Sequence, residues 1–255
     1  KIVSGVTKEC FHITQLLYKK IYKKTVSVSS PEIAEMTKIL ENVYRAVNIS
    51  LINEMKIIAD KMNLNILEAI EAASTKPFGF TPYYPGPGLG GHCIPVDPFY
   101  LSWKAKELGS NTHFIDAINS VETDIINYIL KKIIDSLKLR GVEIEDSRIL
   151  ILGIAYKKNV DDIRESPALK IMEKLTNKGA FINYSDPYVP RIPKTRKYNF
   201  NLQSISLTSK NVQKYDAAVL ITDHDIFDYY LLEEKCKLII DTRGKFTKSK
   251  KIVAS

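Results

Sequence analysis

The chain has 255 residues, 45% hydrophobic and 26% charged, enough for two domains with a sizeable core. Lys and Arg outnumber Asp and Glu by 37 to 29, a formal charge of +8, but only small basic clusters occur, at 194–197 and 245–251. A nucleic-acid-binding protein concentrates such charge on one element, so no nucleic-acid partner is expected, although a modest positive field suits a diphosphate. No apolar run approaches the ~18 residues that cross a bilayer, and no signal-peptide pattern opens the chain. The expectation is a cytoplasmic protein with no membrane partner. Cys10, Cys93 and Cys236 are too few and too scattered for a disulfide framework.

The chain opens at Lys1, in what reads as a loop, and residues 1–30 read as the tail of a domain. Helical periodicity runs from Thr7 to Tyr22, and a short β-rich run follows at Thr25 to Val28. Ser30 caps a long helix with Pro31 at its first position. Along it Met36, Leu40, Val43, Val47, Leu51, Met55 and Ile58 recur every three to four residues, the pattern of a buried stripe. A second helix covers Ile66 to Ala73, and a Pro/Gly-rich loop then runs from Thr75 to Pro95. Asp97-Pro98 starts another helix and Gly109 stops it. The helix from Phe114 to Leu137 carries two apolar stripes, as a connector packed on both sides does. From Arg148 the pattern changes. The run Ile149-Leu150-Ile151-Leu152 and the segments Phe181 to Tyr184, Ala217 to Ile221 and Leu238 to Ile240 read as buried strands with helices between them. That alternation predicts a doubly wound, parallel α/β domain behind a helical one.

The loop Pro85-Gly86-Pro87-Gly88-Leu89-Gly90-Gly91-His92-Cys93 carries the chemistry. Gly86, Gly88 and Gly91 fit the spacing G-x-G-x-x-G, but no strand leads in and no helix opens inside, so the dinucleotide reading is rejected. Cys93 follows two glycines and precedes a helix start, a setting that favours a thiolate nucleophile, while a small buried core cysteine is the alternative. Asp97 stands where an N-cap belongs. His92 beside Cys93 has no second ligand pair, so no metal site is expected. Lys38 and Asn42, four residues apart, share a helix face, as do Glu41 and Arg45 on an exposed polar one.

Together these pieces resemble the UDP-glucose/GDP-mannose dehydrogenase family. The resemblance is carried by Ala34-Glu35-Met36-Thr37-Lys38-Ile39-Leu40-Glu41-Asn42 continuing to Asn53-Glu54, and by Gly90-Gly91-His92-Cys93-Ile94-Pro95-Val96-Asp97. Gly153-Ile154-Ala155-Tyr156-Lys157-Lys158, Asp162-Ile163-Arg164-Glu165-Ser166 and Asp241-Thr242-Arg243 extend it to the chain's second half. It implies oxidation of a sugar C6 alcohol to a carboxylate with two NAD molecules in succession. Cys93 would form a thiohemiacetal and then a thioester, Lys38 and Asn42 would stabilise the oxyanion, and Asp97 would position the hydrolytic water. Gly88, Leu89, Gly90 and Tyr84 would contact the nucleotide sugar. Tyr156, Lys157 and Arg243 would hold the uridine diphosphate, and Arg164 would reach the NAD.

The implied architecture is α/β. Residues 1–30 would be a remnant of an NAD-binding domain, 31–137 a helical dimerisation domain with the nucleophile loop and connecting helix, and 138–255 a Rossmann-like UDP-binding domain. Two departures stand out. Val96 replaces the lysine usual in glucose-specific members, and Lys76-Pro77-Phe78-Gly79-Phe80 with Tyr83-Tyr84 resembles the N-acetylhexosamine branch. UDP-N-acetylglucosamine is the favoured substrate, UDP-N-acetylmannosamine the second and UDP-glucose an alternative. The family's NAD-binding domain has no counterpart before Lys1, so a non-catalytic UDP-sugar-binding and dimerisation fragment is the rival reading. A homodimer is expected through the helix at 31–62, and surface polysaccharide synthesis is the implied setting.

Overall fold

A computed structural model describes every residue except Arg196 and Lys248, which fall in the two basic clusters and lie outside the described residues. The neighbours of those two are tied down locally: Lys197 pairs with Glu165, and Lys251 Nζ donates to the carbonyls of Glu233 and Glu234.

Residues Ile149 to Leu152 are wholly buried because they form β3 (Arg148–Leu152), an interior strand of a five-stranded parallel sheet. The others are β4 (Phe181–Ser185), β5 (Ala217–Leu220), β6 (Ile239–Asp241) and β7 (Ile252–Ala254), in the order β4-β3-β5-β6-β7. Both faces are covered, so the strands need not alternate with polar residues. Ile149, Ile151, Val219 and Ile240 face one core, which includes α6 (Pro167–Thr176). Leu150, Leu152, Leu220 and Ile239 face the other, beside α7 (Ser209–Val212) and α8 (Tyr229–Lys235). The doubly wound expectation is met, with β7 an addition. The chain order reverses between β3 and β5, the switch point where such sheets open a ligand crevice.

The first half is helical. A two-stranded parallel sheet, β1 (Ile2–Val3) and β2 (Val26–Ser27), flanks α1 (Lys8–Ile21), and then come α2 (Pro31–Lys61), α3 (Ile66–Ser74), α4 (Asp97–Glu107) and α5 (His113–Lys138). Ser30 caps α2, its Oγ accepting from Ile33 N–H. The 31 residues of α2 bury Asn42, Ala46, Ser50, Asn53 and Ala59. The apolar stripe expected to be buried is largely exposed: Met36 is 47%, Leu40 63%, Leu51 49%, Met55 41% and Ile58 44% exposed. Small and polar residues let α2 lie close to α4 and α5 instead, and the stripe faces away from them. Of the stripe, Val43 and Val47 do pack inward, against a core of Ala46, Leu89, Ile115 and Ile118.

Residues of both apolar stripes of α5, Ile129 of one and Ile126 of the other, face the sheet's core, and the division between cores runs along the helix. Ile115 and Ile118 belong to the helical core, whereas Ile125, Ile129, Ile133 and Leu137 belong to the sheet's core. One helix thus serves both. Beside it, Lys132 Nζ lies 2.5 Å from Asp60 and Tyr128 donates to the same carboxylate, pinning α2 to α5.

Candidate functional site

Loop 85–97 lies between the helical half and the carboxyl ends of the strands. Pro85, Gly86 and Pro87 are buried, and Gly86 N–H donates to Asn53 Oδ1 at 2.9 Å. Each later glycine admits a side chain from another element. A Cβ on Gly86 would come 2.7 Å from the Arg243 guanidinium, one on Gly88 2.6 Å from Glu122 Oε1. Gly90 and Gly91 lie against Tyr156, at 2.8 and 2.9 Å on the same test, and Gly91 N–H donates to Arg164 O at 2.9 Å. The motif's glycines are therefore there for close packing between halves of the chain. Gly88, at φ +131°, also needs a backbone that other residues rarely adopt.

Cys93 is exposed on the turn that leads into α4, its carbonyl accepting from Asp97 N–H at 2.8 Å. Asp97 is the first residue of α4 and Val96 occupies the cap position without a side-chain bond, so Asp97 is not the N-cap it was expected to be. Its carboxylate turns to α2 instead, where Asn42 Nδ2 donates to Oδ2 at 2.6 Å. Arg45 then donates to Asn42 Oδ1 at 2.5 Å, so the Glu41–Arg45 pair is no detached surface feature. Asn42 is 1% exposed, held at both ends. Lys38, one turn away, is exposed and paired with Glu41 at 3.2 Å; such a pair is weak enough to redirect.

On the other side, Arg243 Nε donates to Ile221 O at 2.7 Å. Part of its surface meets solvent, yet burial of the guanidinium lowers its pKa, with Asp223 and Asp241 opposing. Lys157 Nζ stands 5.3 Å over the Tyr156 ring. Arg164 is folded onto Asp162 by hydrogen bonds that raise its pKa, and Tyr156 and Cys93 are close enough to add to that shift. Tyr84 is 55% exposed, beside the half-buried Tyr83 that packs edge-on against Tyr44. Leu89 is 3% exposed and its N–H is taken by Glu122 Oε2 at 2.7 Å, so the backbone contact expected of it is made within the chain.

In dinucleotide-binding domains the turn after the first strand offers its amides to a pyrophosphate. Here those amides are spent. Ile154 and Ala155 N–H donate to Asp186 Oδ2 at 2.7 and 3.1 Å, and Asn159 N–H to His224 Nδ1 at 3.0 Å. His224 Nε2, 3.0 Å from the same Asp186 oxygen, is then the protonated nitrogen, an assignment made from the bonding pattern. The described residues do not fit NAD at this turn. Arg45, Asn53, Glu122 and the Asp186–His224 pair were not assigned from sequence; only Asn53 lay within a recognised motif.

Family comparison decides the class. Residues 32–124 match the UDP-glucose/GDP-mannose dehydrogenase family's central domain, and residues 150–248 match its UDP binding domain. The chain belongs to the UDP-glucose/GDP-mannose dehydrogenase family. Among similar family proteins is the UDP-N-acetyl-D-mannosamine dehydrogenase of Methanococcus vannielii, 32% identical over 96% of this chain and 55% of the relative. The UDP-N-acetyl-D-glucosamine 6-dehydrogenase of Salmonella typhi is 31% identical over 89% of this chain and 52% of its own length. The solved UDP-D-ManNAc dehydrogenase of Pyrococcus horikoshii superposes with a TM-score of 0.85 at 29% identity, covering 99% of this chain and 59% of that one. The chain spans about half the length of the curated relatives it matches. Among the described residues no helix is long and apolar enough to cross a membrane.

Proposed function

We propose that the whole protein oxidises the C6 hydroxyl of a UDP-N-acetylhexosamine to a carboxylate, and that these residues supply its UDP-sugar site and thiol. The observation that carries the reading is the placement of an exposed Cys93 beside the Asn42–Asp97 bond, on a loop packed against Tyr156 and Arg243. In this reading Tyr156, Lys157 and Arg243 hold the uridine diphosphate, while Gly88, Gly90 and Tyr84 border the sugar. The Cys93 thiolate adds to the C6 aldehyde; the C–S bond forms and the carbonyl electrons move to oxygen. Asn42 has one N–H committed to Asp97 and a second left for that oxyanion, and Lys38 swings from Glu41 to join it. Asp97, fixed by Asn42, receives the proton of the water that splits the later thioester and frees the thiol. Each oxidation removes a hydride, and its acceptor, NAD in this reading, is bound outside the described residues except for a contact from Arg164.

Relatives named for N-acetylmannosamine and for N-acetylglucosamine both support the hexosamine branch. The exposed α2 stripe is assigned to a homodimer. Free Cys10, Cys93 and Cys236 fit a reducing cytoplasm, and an acidic sugar suits surface polysaccharide synthesis. The spent amides after β3 favour a second reading for this chain alone, a UDP-sugar-binding module without turnover.

A thermal-shift assay with UDP, UDP-N-acetylglucosamine, UDP-N-acetylmannosamine and NAD tests both. A ligand at about 100 times its Kd stabilises a fold by about 2.7 kcal/mol, so the UDP compounds should raise Tm and NAD should not. Cys93→Ser should keep the UDP response while abolishing acid formation in the longer protein. No response to any UDP compound would sink the reading, and stabilisation by NAD alone would overturn the domain assignment.

A further inference from the structure

Glu122 takes no part in the chemistry above, yet it is a largely buried carboxyl at the meeting point of three segments. Its side chain is 13% exposed. From α5, Oε2 accepts the buried Leu89 N–H at 2.7 Å and Oε1 lies 3.3 Å from Lys170 Nζ on α6. Gly88 completes the contact, since a methyl there would sit 2.6 Å from Oε1. Three residues on, Gly91 N–H is held by the Arg164 carbonyl, a few residues before α6 begins at Pro167. The segment 88–91 is thus fixed at both ends, with Tyr156 against Gly90 and Gly91 and Cys93 two residues beyond.

We infer that Glu122 is a positioning residue. It sets the sugar-facing loop, through the Leu89 amide, in register with the UDP-binding half, through Lys170. This rests on the function proposed above. An acceptor is needed because Leu89 is 3% exposed and its amide cannot turn to water. The charge is what Lys170 reads. Gln at this position keeps the acceptor and loses the charge, whereas Ala loses both and leaves the buried amide without a partner.

The test uses the 255-residue chain, with UDP affinity from calorimetry and iodoacetamide alkylation of Cys93 read by peptide mass spectrometry. Cys10, exposed on α1, serves as the internal clock. Glu122→Ala should weaken UDP by up to roughly tenfold, the scale of one lost hydrogen bond, and raise the Cys93-to-Cys10 alkylation ratio. Glu122→Gln, which keeps the amide's acceptor and loses the ion pair, should move both readouts in the direction of Glu122→Ala but less far. Lys170→Met, which removes the other end of the link and leaves the Leu89 amide its acceptor, should raise the ratio as well, and it decides the matter if Glu122→Ala fails to fold. Unchanged UDP affinity with an unchanged ratio in a folded Glu122→Ala, or an unchanged ratio in Lys170→Met, would overturn the assignment. A parent chain that binds no UDP would instead remove the functional reading, and the alkylation ratio would still judge Glu122.

Discussion

Two buried carboxyls shift in opposite directions, and counting their partners shows why. At Asp186 burial favours the neutral form, but His224 and the Ile154 and Tyr188 amides outweigh it and hold the pKa below the ordinary value. Glu122 has one amide and an ammonium at 3.3 Å, so burial wins and its pKa rises. A raised carboxyl stabilises the fold most below its unfolded value, about 4.3, and that contribution is lost as pH climbs through the folded value. Glu122→Gln should therefore gain Tm relative to the parent as pH rises from about 4 to 7, followed by scanning calorimetry. A difference that shrinks over that window would contradict the shift. Asp186 works the other way, and its contribution disappears only as pH falls below about 3.9. At this scale short motifs singled out Cys93, Asn42 and Asp97, which the fold brings into one hydrogen-bonded group. It gave no sign of Glu122, whose role arises only when a loop 33 residues away folds over it.

Elements were legible wherever both faces of a segment were buried by this chain. The strands and α5 followed that rule, and Ile133, wholly buried in the sheet's core, tests it. Ile133→Ala should cost about 2–5 kcal/mol in urea unfolding, as truncations of well-packed aliphatic side chains do. A cost near zero would mean that α5 packs loosely. The α2 stripe was read correctly as apolar and wrongly as buried here. Periodicity marks a face as apolar and carries no information on what packs against it. Strand β7 was missed because three residues behind a lysine cluster offer too short a pattern. Cap chemistry misled at Asp97 for a related reason: an Asp before a Pro looks like a helix start, and here the site had a prior use for the carboxylate.

For the molecule as a whole, the exposed stripe sets a prediction of assembly. Two copies laid along α2 would cover Met36, Leu40, Leu51, Met55 and Ile58 together. Sedimentation equilibrium should give a dimer at micromolar protein, and Leu40→Glu with Leu51→Glu should yield monomers. A monomeric parent chain would leave the stripe to some other partner. The sharing of α5 between two cores also bears on synthesis. Ile125, Ile129, Ile133 and Leu137 leave the ribosome before any strand of the sheet that will cover them. The last of those strands ends at Ala254, and elongation at about 5–20 residues per second puts its arrival on the order of ten seconds later. Through that interval the far half of the helix is an unpaired greasy surface on a nascent chain, the place where a holding chaperone would bind.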